Sequence, residues 1–243
     1  MTPTHLHLLL LLLLLVCSYP IDTAAKHNTT ASCLRDQASL LLQLKRSFTD
    51  VDANLASWQA GKDCCHWEGV TCDMAAGRVV SLDLGGFHLA SRQLDVALFN
   101  LTSLRNLSLA CNDFGNSNLP SYGFERLTNI IHLNFSSTNF FGQIPIGISC
   151  LKNLVTLDFS NNNHMYLQDP NFQTFMANLS NLRELRLDEV GISNGIGGST
   201  WSVALADFAP QLEILSLVMC GISGPIHHSF SRLHSLTEIL QNL

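Results

Sequence analysis

The chain has 243 residues, of which 13% are charged, and a formal net charge of −6. This balance supplies no basic surface for tracking a phosphate backbone, so we expect no nucleic-acid partner. The length allows one or two ordinary domains or one array of repeats.

The N-terminus carries an unbroken apolar run from Leu8 to Val16. A membrane-spanning helix needs roughly 20 residues, so this run is too short and instead has the length of a signal-peptide core. Small residues follow, and Thr23-Ala24-Ala25 is a plausible cleavage site. We predict that residues 1–25 direct the chain into the secretory pathway. We expect any membrane attachment to come from a segment absent from this chain.

Export has consequences for the cysteines and for the glycosylation sequences. Secreted proteins keep disulfides, so the eight cysteines are first considered as a disulfide framework. Sequences of the form Asn-x-Ser/Thr become glycosylation sites in this compartment. The five candidates are Asn28, Asn100, Asn106, Asn134 and Asn178.

A repeat runs through the chain from Val79 onward, with the order apolar, two residues, apolar, one residue, apolar. Its copies begin 25, 26, 24, 28 and 30 residues apart, which is the period of leucine-rich repeats. Stacked copies share one core, and their short strands form a parallel sheet. We therefore predict an α/β repeat solenoid, a leucine-rich-repeat horseshoe with a parallel concave sheet, over residues 78–243. It has about six repeats and an incomplete seventh, and the six begin at Val79, Leu104, Ile130, Leu154, Leu182 and Leu212.

Each repeat is expected to turn one polar side chain inward, three residues after its strand, to bind backbone groups of the turn. Thr138 can still donate through its hydroxyl, whereas Phe87 and Val190 cannot, so the polar ladder should be interrupted in the first and fifth repeats. Cys220 is then a buried structural thiol rather than a catalytic one. The residues that match the expected Asn or Cys are Asn112, Asn162 and Cys220.

The segment "KDCCHWEGVTCD" places three cysteines and a histidine within twelve residues. Adjacent cysteines followed by His66 make poor tetrahedral spacing for zinc, and the oxidising compartment favours disulfides. We therefore expect a covalent staple and no metal. Four cysteines allow three pairings, among which the spacing does not choose. The four are Cys33, Cys64, Cys65 and Cys72.

The third repeat contains Gly-x-Ile-Pro at Gly142 to Pro145, and Cys33 to Asp73 reads "CLRDQASLLLQLKRSF" followed later by "LASWQAGKDCCHWEGVTCD". With these motifs the chain resembles the plant extracellular leucine-rich-repeat family, above all its receptor-like proteins. The resemblance implies a disulfide-stapled helical N-terminal cap over residues 26–77. It also implies the pairs Cys33–Cys64 and Cys65–Cys72. Trp58 and Trp67 are expected to complete the apolar core of the cap.

The sequence offers no persuasive catalytic constellation, so we expect neither an enzyme nor a cofactor. The glycines around Gly195 do not complete a nucleotide-binding motif. Neighbouring side chains on an extended segment point apart, which argues against metal binding by His227 and His228. Asp83 and Asp158 share a repeat phase but are about 14 Å apart at the usual strand spacing, too far for paired-carboxylate hydrolysis.

The resemblance implies an extracellular recognition ectodomain that binds a protein or peptide on its concave face, in defence or developmental signalling. It also implies a co-receptor kinase as partner and a location at the outer face of the plasma membrane, or free outside the cell. The alternative is a secreted inhibitor of cell-wall-degrading enzymes, similar to polygalacturonase inhibitors. The repeats of such an inhibitor would be more regular than the repeats of this chain, which include intervals of 28 and 30 residues.

The exposed strand positions are the third and fifth of each repeat. Asn106 and Asn134 occupy two of them, so glycans there would cover the N-terminal part of the concave face. Asn100 and Asn178 should project from the side or back. Recognition should then shift to a charged group in later repeats, for which the alternative is a solvated charged strip. The candidate binding residues are Asp158, Arg183, Glu184, Arg186, Asp188 and Glu189.

The last residues begin a seventh repeat whose third core position is the polar Gln241. The alternation of a strand should turn Leu240 outward. We expect an uncovered last apolar layer, and hence that the chain is a fragment or truncated product of a longer receptor. The layer includes Leu212, Leu215, Leu217 and Phe230, with Leu233 and Leu236 beside it.

Overall fold

The computed structural model describes residues 31–49, 54–169, 171–192 and 200–240. The expected signal peptide, the cap residues before 31, Asn28, the glycines around Gly195 and Gln241 lie outside these residues. The described part contains a cap and a stack of repeats, and each repeat contributes one strand to a common sheet.

The concave sheet has eight strands, and all neighbours are parallel except the first pair. The strands of the second to sixth repeats each hold the second core leucine at their centre, and these leucines align across the sheet, as Leu107 does with Leu133 and Leu133 with Leu157. This register confirms the predicted parallel concave sheet. The strands, in sheet order, are β1 (Val70–Cys72), β2 (Val79–Asp83), β3 (Asn106–Ser108), β4 (His132–Asn134), β6 (Thr156–Asp158), β8 (Glu184–Arg186), β10 (Ile214–Ser216) and β11 (Glu238–Leu240).

The apolar positions of the repeats form one continuous core. In the second repeat Leu104, Leu107 and Leu109 are at most 1% exposed. Phenylalanines link one repeat to the next, since the ring of Phe135 lies 5.5 Å from that of Phe159, edge to face. Burial of such side chains supplies about 25 cal/mol per Å² of apolar surface, which explains why the repeats are stable only as a stack.

The inward polar ladder is present where the sequence predicted it. Asn162 donates its amide to the carbonyl oxygens of Phe135 and Phe159, both at 2.8 Å. Its Oδ1 accepts from the backbone of Thr138, whose hydroxyl donates to the carbonyl of Phe135. The Cys220 thiol donates to a backbone carbonyl at 2.8 Å. Val190 is fully buried and cannot donate, so the interruption in the fifth repeat is confirmed.

The residue before each ladder position has a left-handed backbone conformation, which was not predicted from the sequence. This conformation turns the chain so that the next side chain points into the core. Glycine adopts it without cost, whereas the other residues that hold it carry a Cβ. The six residues are Gly86, Cys111, Ser137, Asn161, Glu189 and Met219, with φ between 53° and 70°.

A second sheet consists of three parallel strands, β5 (Phe141–Gln143), β7 (His164–Leu167) and β9 (Gly191–Ile192). The two longest repeats insert helices after these strands, α2 (Phe172–Met176) and α3 (Thr200–Phe208). Both helices bury apolar side chains, including Phe175 and Trp201. The repeat intervals of 28 and 30 residues are therefore long because each contains a helix that extends the core.

The cap is held by helix α1 (Arg35–Ser47) and two disulfides. The pairs are Cys33–Cys64 and Cys65–Cys72, as the family resemblance implied. Trp58 and Trp67 are both buried and stack with their ring centroids 5.4 Å apart. The disulfide-stapled helical cap is thus confirmed.

The cap meets the repeats through both backbone and side-chain contacts. Strand β1 runs antiparallel to β2 and covers the first edge of the sheet. The buried Gln37 accepts a hydrogen bond from the backbone of Val79 at 2.6 Å. Gly69 has φ +72°, and a Cβ there would lie 2.2 Å from the carbonyl oxygen of Asp83, so this junction requires glycine.

One expectation for the last repeats is wrong. Leu212, Leu215 and Leu217 are at most 1% exposed, because β11 and the residues before it cover them. The outward direction of Leu240 is confirmed, since its side chain is 45% exposed. Ile239 aligns with Leu215 yet is 50% exposed, so the described apolar surface at this edge begins one repeat later than expected.

Candidate functional site

The concave face is built from the third and fifth positions of the repeats, whose side chains flank the buried second leucine. Parallel register places equivalent positions of successive repeats side by side at about 4.8 Å spacing. One row therefore crosses the whole stack at position three, and a second row crosses it at position five. The third-position row is Ser81, Asn106, His132, Thr156, Glu184, Ile214 and Glu238, and the fifth-position row is Asp83, Ser108, Asn134, Asp158, Arg186, Ser216 and Leu240.

A charged cluster occupies this face at β6, β8 and β11. Arg186 lies beside Asp158 in the fifth-position row and donates its Nε to the carboxylate of Glu184. This hydrogen bond raises the pKa of the guanidinium, partial burial opposes the rise, and the charges of Glu184, Glu238 and Asp158 add to it. We name Asp158, Glu184, Arg186 and Glu238 the concave cluster.

Within the cluster Asp158 is the least hydrated group. Burial raises the pKa of this carboxyl above its ordinary value, although hydrogen bonds from Ser160 and the charge of Arg186 act in the opposite direction. The backbone N–H of Ser160 donates to Oδ1 at 2.8 Å, which shapes the turn after β6. Asp158 therefore serves the fold as well as the surface, and a freely solvated strip does not describe it.

The structure brings only part of the predicted charged group together. Strand β8 spans Glu184–Arg186, so Arg183, Asp188 and Glu189 do not lie on the strand, contrary to the prediction. Arg183 precedes the strand and forms an ion pair with Glu213 at 2.8 Å.

The two acidic residues after β8 serve the turn. The carboxylate of Asp188 accepts from the hydroxyl of Ser216 at 2.6 Å and from the backbone of Val218 at 2.7 Å. Glu189 occupies the left-handed turn position. Both are therefore placed by the repeat-to-repeat turn rather than by the concave strands. Glu238, which the sequence analysis did not select, holds the third position of the seventh repeat and was detectable from the phase of "LTEIL".

A row of asparagines outside the core was not predicted from the sequence. Asn129, Asn153 and Asn181 each stand immediately before the first core residue of a repeat and donate their amide to a carbonyl of the preceding repeat. The signal was the recurring Asn before Ile or Leu at this phase. The acceptors are the carbonyl oxygens of Thr102, Thr128 and Lys152, at 3.0, 2.9 and 2.8 Å.

The glycosylation candidates differ in their surroundings. Asn106 is exposed on the concave face, whereas Asn134 is half-buried and its Oδ1 accepts from both the backbone and the hydroxyl of Ser136. Asn100 ends a 3₁₀ helix (Val96–Asn100), and Asn178 follows α2, so both lie away from the concave strands and both are exposed.

The unpaired cysteines of the described ranges lie in different settings. Cys111 and Cys150 are exposed, and Cys220 is buried. Burial, with the nearby charge of Asp188, raises the pKa of the Cys220 thiol to about 12. Among the described residues, the one cluster of three or more His, Cys, Asp or Glu side chains with metal-ligand geometry is formed by the four disulfide-bonded cap cysteines.

In the described ranges no helix combines the length and the apolar character that crossing a bilayer requires. The longest has 13 residues. The described geometry is that of a broad open sheet face with a charged cluster, which suits contact with an extended partner.

Comparison with known proteins identifies the cap and the repeats. The family model for the leucine rich repeat N-terminal domain matches residues 34–73. Receptor-like protein 6 of Arabidopsis thaliana is 33% identical over 238 residues, covering 87% of this chain and 23% of the relative. The chain thus spans about a quarter of the length of this curated relative.

Two solved structures share the fold. The ectodomain of the Arabidopsis receptor kinase GASSHO1/SCHENGEN3 superposes with a TM-score of 0.69 at 23% identity, covering 84% of this chain and 24% of that one. The Arabidopsis receptor kinase HAESA, in complex with the peptide hormone IDA and the co-receptor SERK1, gives a TM-score of 0.66 at 30% identity. That match covers 86% of this chain and 38% of HAESA. These comparisons confirm the predicted horseshoe and the resemblance to plant receptor-like proteins.

Proposed function

We propose that this chain, with the cap and repeats of plant leucine-rich-repeat receptor-like proteins, is an extracellular recognition ectodomain that binds a peptide or protein ligand on its concave sheet. The single observation that carries the proposal is the concave cluster, in which Arg186 is held by Glu184 on the sixth of the eight strands of an open sheet face. The complex of HAESA with a peptide hormone supports it, because that ectodomain shares the fold.

Arg186 is suited to be the principal contact. Its Nε is committed to Glu184, and its side chain is 27% exposed. A guanidinium carries five donors in a planar fork, so the remaining N–H groups can bind carbonyl or carboxylate oxygens of a ligand. Because Glu184 already fixes the fork, little side-chain entropy is lost when a ligand binds.

The glycosylation candidates bear on where the ligand lies. Glycans on Asn106 and Asn134 would project over the early strands of the sheet, whereas those on Asn100 and Asn178 would not. The ligand then contacts the repeats from β6 onward, where Asp158 and Arg186 lie. Disulfides in the cap fit the oxidising extracellular location.

The same comparison supports the proposed partners. The HAESA structure contains the co-receptor SERK1 besides the peptide hormone, and for this chain we propose a peptide or protein ligand and a co-receptor kinase. We propose that its location is the outer face of the plasma membrane if the full-length form has an anchor, and otherwise the extracellular space, and that its role is recognition without catalysis. Inhibition of cell-wall-degrading enzymes is the less supported function, because the relatives are receptor-like proteins and the repeats carry helical insertions.

A selection experiment tests the proposal and does not require that the natural ligand be identified. The secreted chain is immobilised and a random dodecapeptide library displayed on phage is selected on it. Affinities of the enriched peptides are then measured for the wild type, for Arg186→Glu and for Arg126→Glu. Arg126 is an exposed arginine at the end of a 3₁₀ helix outside the concave sheet, so it is a matched control for the change in charge.

We expect Arg186→Glu to weaken binding about tenfold or more, because a charge-assisted hydrogen bond is replaced by repulsion of ligand oxygens. Arg126→Glu should leave the affinity within about twofold, since surface changes outside an interface have small effects. Equal loss in both variants, or a library that yields no convergent peptides, would show that the concave cluster is not a recognition site.

A further inference from the structure

A second polar surface lies at the edge of the concave sheet where its strands begin. Arg105, Ile131, Val155 and Arg183 hold position two in four successive repeats and line an open depression of about 400 Å³. The row of asparagines at Asn129, Asn153 and Asn181 borders the same depression. We name these seven residues the edge groove.

The asparagines make this border rigid. Because each amide nitrogen donates to the preceding repeat, the side chains are fixed in one orientation. Within the described residues their Oδ1 atoms accept no hydrogen bond, so each of these groove residues keeps an acceptor for a ligand. Between the two arginines Ile131 and Val155 are half-buried and form an apolar floor. Fixed polar groups beside an apolar floor are typical of a binding site.

The charge of the groove differs from that of the chain. The protein has a net charge of −6, yet the lining of the groove contains two arginines and no carboxylate. Arg183 is paired with Glu213 at 2.8 Å, whereas Arg105 forms no ion pair in the part of the chain that the structure describes. Arg105 is exposed, so its guanidinium is free to bind an anionic group.

We infer that the edge groove binds an extended peptide segment and that Arg105 pairs with an acidic side chain of that segment. This rests on the proposed function and adds the chemical class of the ligand. Four strands at about 4.8 Å spacing span roughly 14 Å, the length of about four extended residues. The acidic residue lies over Arg105, apolar side chains cover Ile131 and Val155, and peptide N–H groups donate to the asparagine oxygens.

The groove can be occupied together with a glycan on the neighbouring residue. Arg105 and Asn106 are adjacent and both exposed, but Arg105 precedes β3 whereas Asn106 is the first residue of that strand. Asn106 belongs to the concave row, whereas Arg105 lies at the edge. We therefore place the peptide at the edge of the sheet, beside and not over the strand position that a glycan on Asn106 would cover.

The test uses the secreted chain and three positional libraries of heptapeptides. The first library carries a fixed Asp, the second a fixed Lys and the third a fixed Ala. The fixed residue is placed at each of the positions in turn, and all other positions are random. Binding of each library is measured for the wild type, Arg105→Glu, Arg105→Lys and the control Arg126→Glu. Thermal unfolding of every variant is recorded, and we expect no change because both arginines are exposed.

We expect the wild type to prefer Asp over Ala and Lys at one position. Arg105→Glu should abolish this preference and weaken the Asp library about tenfold or more. Arg105→Lys should retain part of it, because charge is kept while the planar fork is lost. Arg126→Glu should behave as the wild type.

Different results would contradict the proposed function and the assignment of the edge groove. If no library binds the wild type, the proposed function is wrong and this inference fails with it. If peptides bind without a preference for Asp, or if Arg105→Glu binds the Asp library as the wild type does, only the edge groove is wrongly assigned. An oligomer of uronic acids is tested in parallel. If this oligomer binds through Arg105 and the Asp library does not bind, the assignment of a peptide ligand is wrong and an acidic carbohydrate is favoured.

Discussion

Arg186 and Glu184 lie on the same face of strand β8, and the guanidinium Nε of Arg186 donates a hydrogen bond to the carboxylate of Glu184. Both side chains are mostly buried, with 27% and 30% of their area exposed. The pair therefore acts as one oriented unit in the C-terminal half of the concave face. An ion pair at this depth is screened less by salt than one on an open surface.

Replacing Glu184 by Gln tests whether this orientation contributes to recognition. The amide can still accept from Arg186, but the charge that fixes the guanidinium is lost. We expect peptides selected on the wild type to bind Glu184→Gln about threefold to tenfold more weakly, a smaller loss than for Arg186→Glu. Titration by fluorescence anisotropy measures the peptide affinities of both variants and so shows which loss is larger. A loss larger than that of Arg186→Glu would place the principal contact on Glu184 instead.

Replacing Asn162 by Ala should destabilise the stack strongly. The carbonyl oxygen of Phe159 loses its buried donor and the backbone N–H of Thr138 loses its acceptor, and each unsatisfied group costs about 1–3 kcal/mol. We expect the free energy of unfolding in urea to fall by about 2–5 kcal/mol. The neighbouring Asn163 is exposed, so Asn163→Ala is the control and should change it by less than about 0.5 kcal/mol. Similar values for both variants would contradict the role of the ladder.

Asp158 predicts a dependence of stability on pH. Because burial raises its pKa in the folded state, its contribution is fully present below the unfolded value of 3.8 and is lost as pH rises through the folded pKa. Asp158→Asn does not titrate and keeps the acceptor for Ser160. We therefore expect this variant to gain stability relative to the wild type between about pH 3 and pH 7.

The measurement for Asp158 is urea unfolding at several pH values. Since Asp158→Asn creates a new Asn-Phe-Ser glycosylation sequence, both proteins are produced without N-glycans in the bacterial periplasm, where disulfides form. Asn134 shows that asparagine fits this position, because its Oδ1 accepts from Ser136 at 2.9 Å in the preceding repeat. A difference in stability that stays constant or reverses with pH would refute the raised pKa.

Much of this structure could be predicted from the sequence, because the repeat phase decides which side chains are buried. The core positions, the concave sheet and the donors at Asn162 and Thr138 follow from that phase. The phase does not reveal which exposed charges meet. Asp188 was assigned to a strand, yet it lies in the following turn, where Ser216 of the next repeat binds it. Contacts between repeats depend on register and side-chain reach, which the spacing alone does not encode.

The cysteines should differ in reactivity. With its pKa raised to about 12, the Cys220 thiol stays protonated at pH 8 and is buried, so we expect no alkylation of the native protein there. Cys111 and Cys150 are exposed and should react. Peptide mass spectrometry after iodoacetamide treatment, with and without urea, resolves each site. Alkylation of native Cys220 as rapid as that of Cys111 would contradict the buried ladder position.

The glycosylation candidates should separate by function. We expect Asn100→Gln and Asn178→Gln to leave peptide affinity unchanged, because both residues lie away from the concave strands, although secretion can fall. Glycopeptide mapping of the secreted chain should find glycans on Asn106 and Asn134. If both are bare, the reason for placing the ligand on the later repeats is removed. Loss of binding with normal secretion in Asn100→Gln would contradict its placement.

The most direct test of recognition on the concave face is photo-crosslinking of a selected peptide that carries a benzophenone side chain. The residues attached to it are identified by mass spectrometry of the secreted chain. We predict attachment to the segments that contain strands β6, β8 and β10, around Asp158 and Arg186. Attachment confined to the opposite side, in the 3₁₀ helix Ile146–Cys150 or in α2, would contradict it.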